Sequence, residues 1–418
     1  MPFFTFKTEY PLRMAIFEKL IRLRRMQKFQ PLLFLLLPLF GFSQKLSWEK
    51  LNDFPGLPFD DGISFTYQNQ VYVTGGLNSG FYIAPDIWQF DPDSETWNNR
   101  GFINYTPRQY ASGFYWNDHF CIAGGKAGST LQDCQCMGSN PNLWTPFPFP
   151  FGPARKQQVS GNVEERIFFG LGSNGSSCFN DWWEFSLPDS TWLKKPAFPG
   201  EPRKEAVLSN WGKVVFVGLG IDSSEKIGFH DWYSYEPNSA IWQRKSDFPG
   251  KNIQYGNAFS FADGIVVLGG MDPNRVFYNE AYFYKPYLDE WIELGELPFS
   301  PRKGMNAVSM GNSIYLISGI DSSYHRTPEV WKGKFTPSES GLHVFPNPVQ
   351  NELVIQGSTN MNATIRLWNL SGEKIQEWQI SKVSWSQLDI SFIESGFYLL
   401  EIEKEDGKTI QKLIKTKG

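Results

Sequence analysis

From about residue 45 to its end the chain alternates apolar and polar positions in short runs, and Gly, Pro, Asp, Asn and Ser separate the runs. Period-two patterning between turn residues predicts short strands rather than helices. Residues 256–261 predict an inner strand, 264–270 (GIVVLGG) a second, 281–284 a third and 290–294 an outer fourth. The second run is apolar throughout, as expected of a strand covered on both faces.

This four-strand pattern repeats. Trp48, Trp97, Trp144, Trp192, Trp242 and Trp291 recur at intervals of 49, 47, 48, 50 and 49 residues. Gly76, Gly125, Gly172, Gly220, Gly270 and Gly319 each follow one of them by 28 residues. An acid then opens each third strand: Asp86, Asp133, Asp181, Asp231, Glu280 and Glu329. Only the gap from glycine to acid varies, at 10, 8, 9, 11, 10 and 10 residues. Length changes confined to one loop are what surface loops between paired strands permit. The sixth repeat ends at Phe335 without a fourth strand, while the segment 46–50 around Trp48 has no repeat of its own. That segment is expected to complete the sixth blade and close a ring with no free edge.

A glycine pair after an apolar strand, then an aromatic strand and a tryptophan, resembles the kelch repeat over residues 45–335. Repeats three and four depart from it with Gly-Leu-Gly, and repeat six with Ser-Gly. The resemblance implies a β-propeller. Sugar oxidases, sialic-acid mutarotases and binding scaffolds share that fold, so it does not choose a function.

Residues 336–344 form a polar linker, and 345–418 carry further short strands with turns between them, suggesting a β-sandwich. This tail contains Pro346-Asn347-Pro348, a turn at Gly372, the strand beginning Gly396-Phe397-Tyr398, and terminal lysines. Those landmarks resemble the C-terminal sorting domain of the type IX secretion system. The resemblance implies the type IX secretion machinery as partner, passage across the outer membrane of a Gram-negative bacterium, tail cleavage, and release or attachment at the cell surface. The expected fold class is all-β: a six-bladed kelch-like β-propeller closed by an N-terminal strand, plus an Ig-like C-terminal sandwich.

Residues 1–44 read as a targeting segment. Lys28 precedes the ten apolar residues 31–40 (PLLFLLLPLF), and 41–44 suit cleavage. A bilayer span needs about 20 residues, so this run is a signal peptide rather than a transmembrane helix. Residues 1–25 are either an unused upstream extension or a long basic leader. Export leads to an oxidising compartment, where Cys121, Cys134, Cys136 and Cys178 are able to pair. On neighbouring strands of blade two, Cys121, Cys134 and Cys136 are expected to be buried thiols or to form one disulfide, not to hold metal.

The aromatic content of 17% and the 38 glycines fit an all-β chain. A net charge of −4 gives no argument for nucleic acid as a partner. No Ser-His-Asp or Cys-His arrangement emerges, and the four histidines match no copper site of the sugar oxidases, so no catalytic residue, metal or cofactor is expected. The candidate chemistry is cationic. Arg108, Arg155, Arg203 and Arg302 each stand 11 residues after a repeating tryptophan, and Lys156, Lys204 and Lys303 follow three of them. First strands line a propeller's axis, so these residues are expected around the mouth on the long-loop face. There the arginines either pair with the repeating acids or bind an anionic ligand, for which guanidinium is suited. The lysines are expected to be solvated. The function expected is a secreted or surface-displayed binding protein for a glycan or protein. The alternative is a carbohydrate-active enzyme such as a sugar mutarotase or epimerase, for which 203–205 (RKE) marks the place to look.

Overall fold

The computed structural model describes residues 45–149, 152–186, 189–336, 342–404 and 407–417. The expected signal peptide lies outside them. The described residues are built of strands, and six four-stranded antiparallel sheets follow one another along the chain. Blade five is representative: Asn257–Phe261, Gly264–Leu268, Glu280–Lys285 and Glu290–Glu296 pair in that order. Its second strand is buried at every position, as its unbroken apolar sequence requires.

Blade six consists of Asn306–Met310, Ser313–Ile317, Val330–Thr336 and, as its outer strand, Lys45–Lys50. Trp48 lies opposite Gly333, and the bare glycine leaves room for the indole. The ring is therefore closed by its own beginning. The repeating tryptophans also join the blades: the indole N–H groups of Trp192, Trp242 and Trp291 donate to the carbonyls of Pro148, Pro196 and Ser246 in the preceding outer loops.

The marker glycines are needed where the chain doubles back. Gly172 has φ 86°, and a Cβ there would meet the Lys156 carbonyl oxygen at 2.8 Å. At Gly220, φ is 88° and the Lys204 carbonyl would lie at 2.6 Å. Only glycine allows both the left-handed conformation and that approach.

The four repeated arginines sit behind this point. Arg155 is wholly buried, and its Nη1 and Nη2 donate to the two carboxylate oxygens of Asp181 at 2.7 and 2.8 Å. Its Nη1 also donates to the Leu171 carbonyl, next to the marker glycine. Arg108 binds Asp133 and the Gly124 carbonyl in the same way, and Arg203 binds Asp231 and the Leu219 carbonyl. Arg302 binds Glu329 and the Ser318 carbonyl. Each clamp ties the start of a first strand, the end of the second and the start of the third. Blades one and five have Phe59 and Ile253 at the arginine position, both buried. In blade one Asp86 then makes no ion pair among the described residues, and burial raises its carboxyl.

In blade two, Cys121 and Cys136 face each other on neighbouring strands and form a disulfide. Cys134 is a buried free thiol and Cys178 a half-buried one.

The tail is a five-stranded unit around Leu353, Ile355, Ile365, Leu367, Leu400 and Ile402. Its first strand, Leu342–Phe345, already includes residues that the sequence reading left in the linker. Irregular pairing between Gln356 and Ala363 turns the two long strands Glu352–Asn369 and Lys374–Asp389, so their halves enclose one core. Asn347 of the Pro-Asn-Pro motif ties the first strand to the last: its side chain donates to the Lys412 carbonyl and accepts from the Ile414 N–H. Gly372 takes φ 84° in the turn after Asn369, and the Tyr398 hydroxyl donates to the Glu394 carbonyl.

Two outcomes test these contacts. Removing one member of a buried pair leaves an uncompensated charge, so Arg155→Ala should cost about 3 kcal/mol or more in a denaturant titration, whereas its neighbour change Lys156→Ala should stay within about 1 kcal/mol. The Glu329 carboxyl is held at about 2, hydrogen bonds from Arg302, Trp331 and Lys50 outweighing burial. Its contribution is present above the ordinary glutamate value of about 4.3 and is lost as pH falls towards 2. Glu329→Gln should therefore lower Tm at pH 7 and make little difference near pH 2.

Candidate functional site

Two positions beyond the arginines, the chain turns towards the propeller axis. Asp61, Tyr110, Gln157, Glu205, Tyr255 and Gly304 each stand 13 residues after a repeating tryptophan. Their φ values are 57°, 60°, 59°, 57°, 58° and 61°, all left-handed. That conformation is costly for residues with a Cβ, and surrounding structure must impose it. Here backbone hydrogen bonds between blades do so. The Asp61 N–H donates to Gly304, Tyr110 to Asp61, Gln157 to Tyr110 and Glu205 to Gln157, at 2.9, 2.9, 2.9 and 3.1 Å.

The side chains of this ring, with Gln158 and Asn257, line an axial cavity of about 150 Å³. Its wall is polar and incompletely satisfied. Glu205 Oε1, Gln157 Oε1, Gln158 Oε1 and Asn257 Nδ2 are buried without a protein hydrogen-bond partner. Each such atom costs about 1–3 kcal/mol unless something in the cavity meets it.

Two carboxyl groups belong to this wall. Burial raises Asp61 to about 7, with Lys303 opposing and Asp60 adding to the rise. Burial raises Glu205 to about 8, and the nearby Asp61 charge adds to it. Near neutral pH each is able to hold or release a proton. Burial also drives up the phenols of Tyr110 and Tyr255.

The lysines occupy the position between clamp and axis, and the expectation that they are solvated does not hold. Lys303 lies 3.2 Å from Asp60 and 3.4 Å from Asp61, over the Tyr255 ring. Lys204 is buried and pairs with Glu225 of a long loop. Lys156 stacks over Tyr110 and makes no ion pair among the described residues. Burial and the neighbouring charges of Lys204 and Lys126 lower its ammonium. A wider cavity of about 400 Å³ is lined by Glu225, Lys226, Tyr255, Arg275, Lys303 and Tyr324. Tyr255 lines both spaces.

The four arginines line neither cavity. They were expected at the mouth, but the repeating acids take both edges of each guanidinium and burial removes them from a ligand's reach. Of the cations read from the sequence, the structure brings the three lysines towards the mouth and withdraws the arginines. Asp61, Tyr110, Gln157, Glu205 and Tyr255 were not singled out as a set. Their signal was a constant spacing with no constant residue type. Among the described residues no group of His, Cys, Asp and Glu is arranged to hold a metal ion.

Residues 343–416 match the family described as the secretion system C-terminal sorting domain. The solved structure of YjhT is similar to this chain with a TM-score of 0.58 and 13% identity, over 69% of this chain and 99% of that one. At that identity the likeness concerns the fold alone. Comparison with curated proteins gives no match. No helix among the described residues is long and apolar enough to cross a membrane. The chain is a kelch-type β-propeller protein bearing the C-terminal sorting domain of the type IX secretion system, which carries it to the cell surface or the extracellular space.

Proposed function

We propose that the propeller is a surface-displayed or released binding protein whose axial cavity takes a small polyhydroxylated ligand bearing an acidic group, as at the end of an acidic glycan. The observation that carries this reading is the set of buried polar atoms without protein partners around the axis. Hydroxyl groups both donate and accept, so a sugar suits the mixture of carbonyl oxygens, amide N–H and carboxyl groups there. Lys156, crowded by Lys126 and Lys204 and lacking an ion pair, supplies the attraction for an anion.

A second reading is acid–base catalysis on the sugar itself, favoured by Asp61 and Glu205. Mutarotation needs one group to donate a proton to the ring oxygen and one to take a proton from the anomeric hydroxyl. Groups that titrate near the working pH serve best.

A glycan array followed by calorimetry tests the binding reading: a charged mono- or oligosaccharide should bind, and Lys156→Ala should weaken it about tenfold, about 1.4 kcal/mol. Array and calorimetry without any saccharide ligand would reject it. Affinity should also fall between pH 6 and 9. Ionisation of Asp61 near 7 and Glu205 near 8 puts negative charge beside an anionic ligand, and Asp61→Asn with Glu205→Gln should flatten the profile. For the catalytic reading, the rate of anomeric exchange of sialic and uronic acids followed by NMR should rise with added protein and return to background in the same double variant.

A further inference from the structure

The six repeats provide an internal control for the sorting domain's position. In each blade the turn between the first and second strands lies at the end opposite the axial mouth. The turns at Gln68-Asn69, Asn117-Asp118, Glu164-Glu165 and Gly311-Asn312 are exposed. In blade five the same turn holds Asp263, which is 0% exposed. What covers it is the first strand of the tail. His343 Nε2 lies 3.1 Å from Asp263 Oδ1, and both side chains are buried. The imidazole stacks on Tyr287 with ring centres 4.3 Å apart. Phe345 packs on Trp211 at 4.7 Å. From the neighbouring long strand, Gln356 Nε2 donates to the Ala262 carbonyl at 2.7 Å, and the Trp211 indole donates to that same oxygen at 2.8 Å. One like-charged pair, Glu236 and Glu352, works against the contact.

We propose that blade five and its neighbour carry a built dock for the chain's own sorting domain, strong enough that cutting the connection between Thr336 and Leu342 does not by itself free the propeller. The buried Asp263 selects the occupant. A carboxylate withdrawn from water needs a hydrogen-bonding partner, and its turn presents it to His343. Trp211 and Tyr287 supply flat apolar surface on either side, and aromatic anchors around a buried polar contact are typical of surfaces that hold a partner. The dock is on the face opposite the axial mouth, so a retained sorting domain leaves the cavity open. Release then requires a second event that breaks the His343–Asp263 contact. The inference does not depend on the ligand proposed for the cavity.

The test uses the full chain with a specific protease site placed within 337–341. After complete cutting at micromolar concentration, size-exclusion chromatography should give one peak containing both fragments. Asp263→Ala should give two peaks, and Gln356→Ala, a milder change on the tail side, should speed dissociation several-fold on dilution. Circular dichroism and Tm of each variant before cutting separate loss of docking from loss of fold. Two peaks from the unsubstituted protein would overturn the proposal. So would fragments that stay together equally well with Asp263→Ala when that variant is folded.

Discussion

The pairing of Lys45–Lys50 with Val330–Thr336 is the contact on which the rest of the molecule depends. It joins segments separated by 287 residues, as at Ser47 and Lys334. Without it the sixth sheet would end on an open edge, and the six first strands would have no reason to converge on one axis. The closure also reaches the clamps: Lys50 of the closing strand donates to Glu329, the acid that holds Arg302. A long-range pairing of this kind is entropically costly to form, and the ring repays it by leaving each blade packed between two others.

Three successive positions after each tryptophan then have three fates. The first points into the blade, where in four repeats an arginine bridges three strand ends. The second lies near the rim and carries Lys156, Lys204 and Lys303, with Asp60 in blade one. The third, forced into the left-handed region by hydrogen bonds from the adjoining blade, lines the axis. Because the acids neutralise the arginines locally, the charge available at the mouth is set by the lysines, Asp60, Asp61 and Glu205. A conspicuous cationic repeat is thus a framework, and the chemistry falls to less regular neighbours.

Export and binding are placed at opposite ends of the propeller. The sorting domain meets the turn at Ala262-Asp263, and the cavity opens among the long loops. The tail therefore remains in contact with the folded propeller without obstructing the site, and the same scaffold serves both demands.

Blade number, ring closure, the elastic loop and the sorting tail could all be read along the chain. They rest on periodicities and local turn chemistry: the fixed step from Trp48 to Gly76 and its five equivalents, and the Pro346-Asn347-Pro348 and Gly396-Phe397-Tyr398 landmarks. The pairing of Arg155 with Asp181 was one of two outcomes consistent with spacing, and folding chose it, because a guanidinium buried behind the marker glycine needs a carboxylate beside it. The axial ring was hidden for a different reason. Asp, Tyr, Gln, Glu, Tyr and Gly have no common chemistry in one dimension. They become a site only when six chains of equal length bring them to one axis, where burial raises Asp61 and Glu205 and leaves amide and carboxyl atoms facing a shared space. Periodic patterning specifies how strands pair; which side chains share a dielectric environment depends on distances that exist only once the ring is closed.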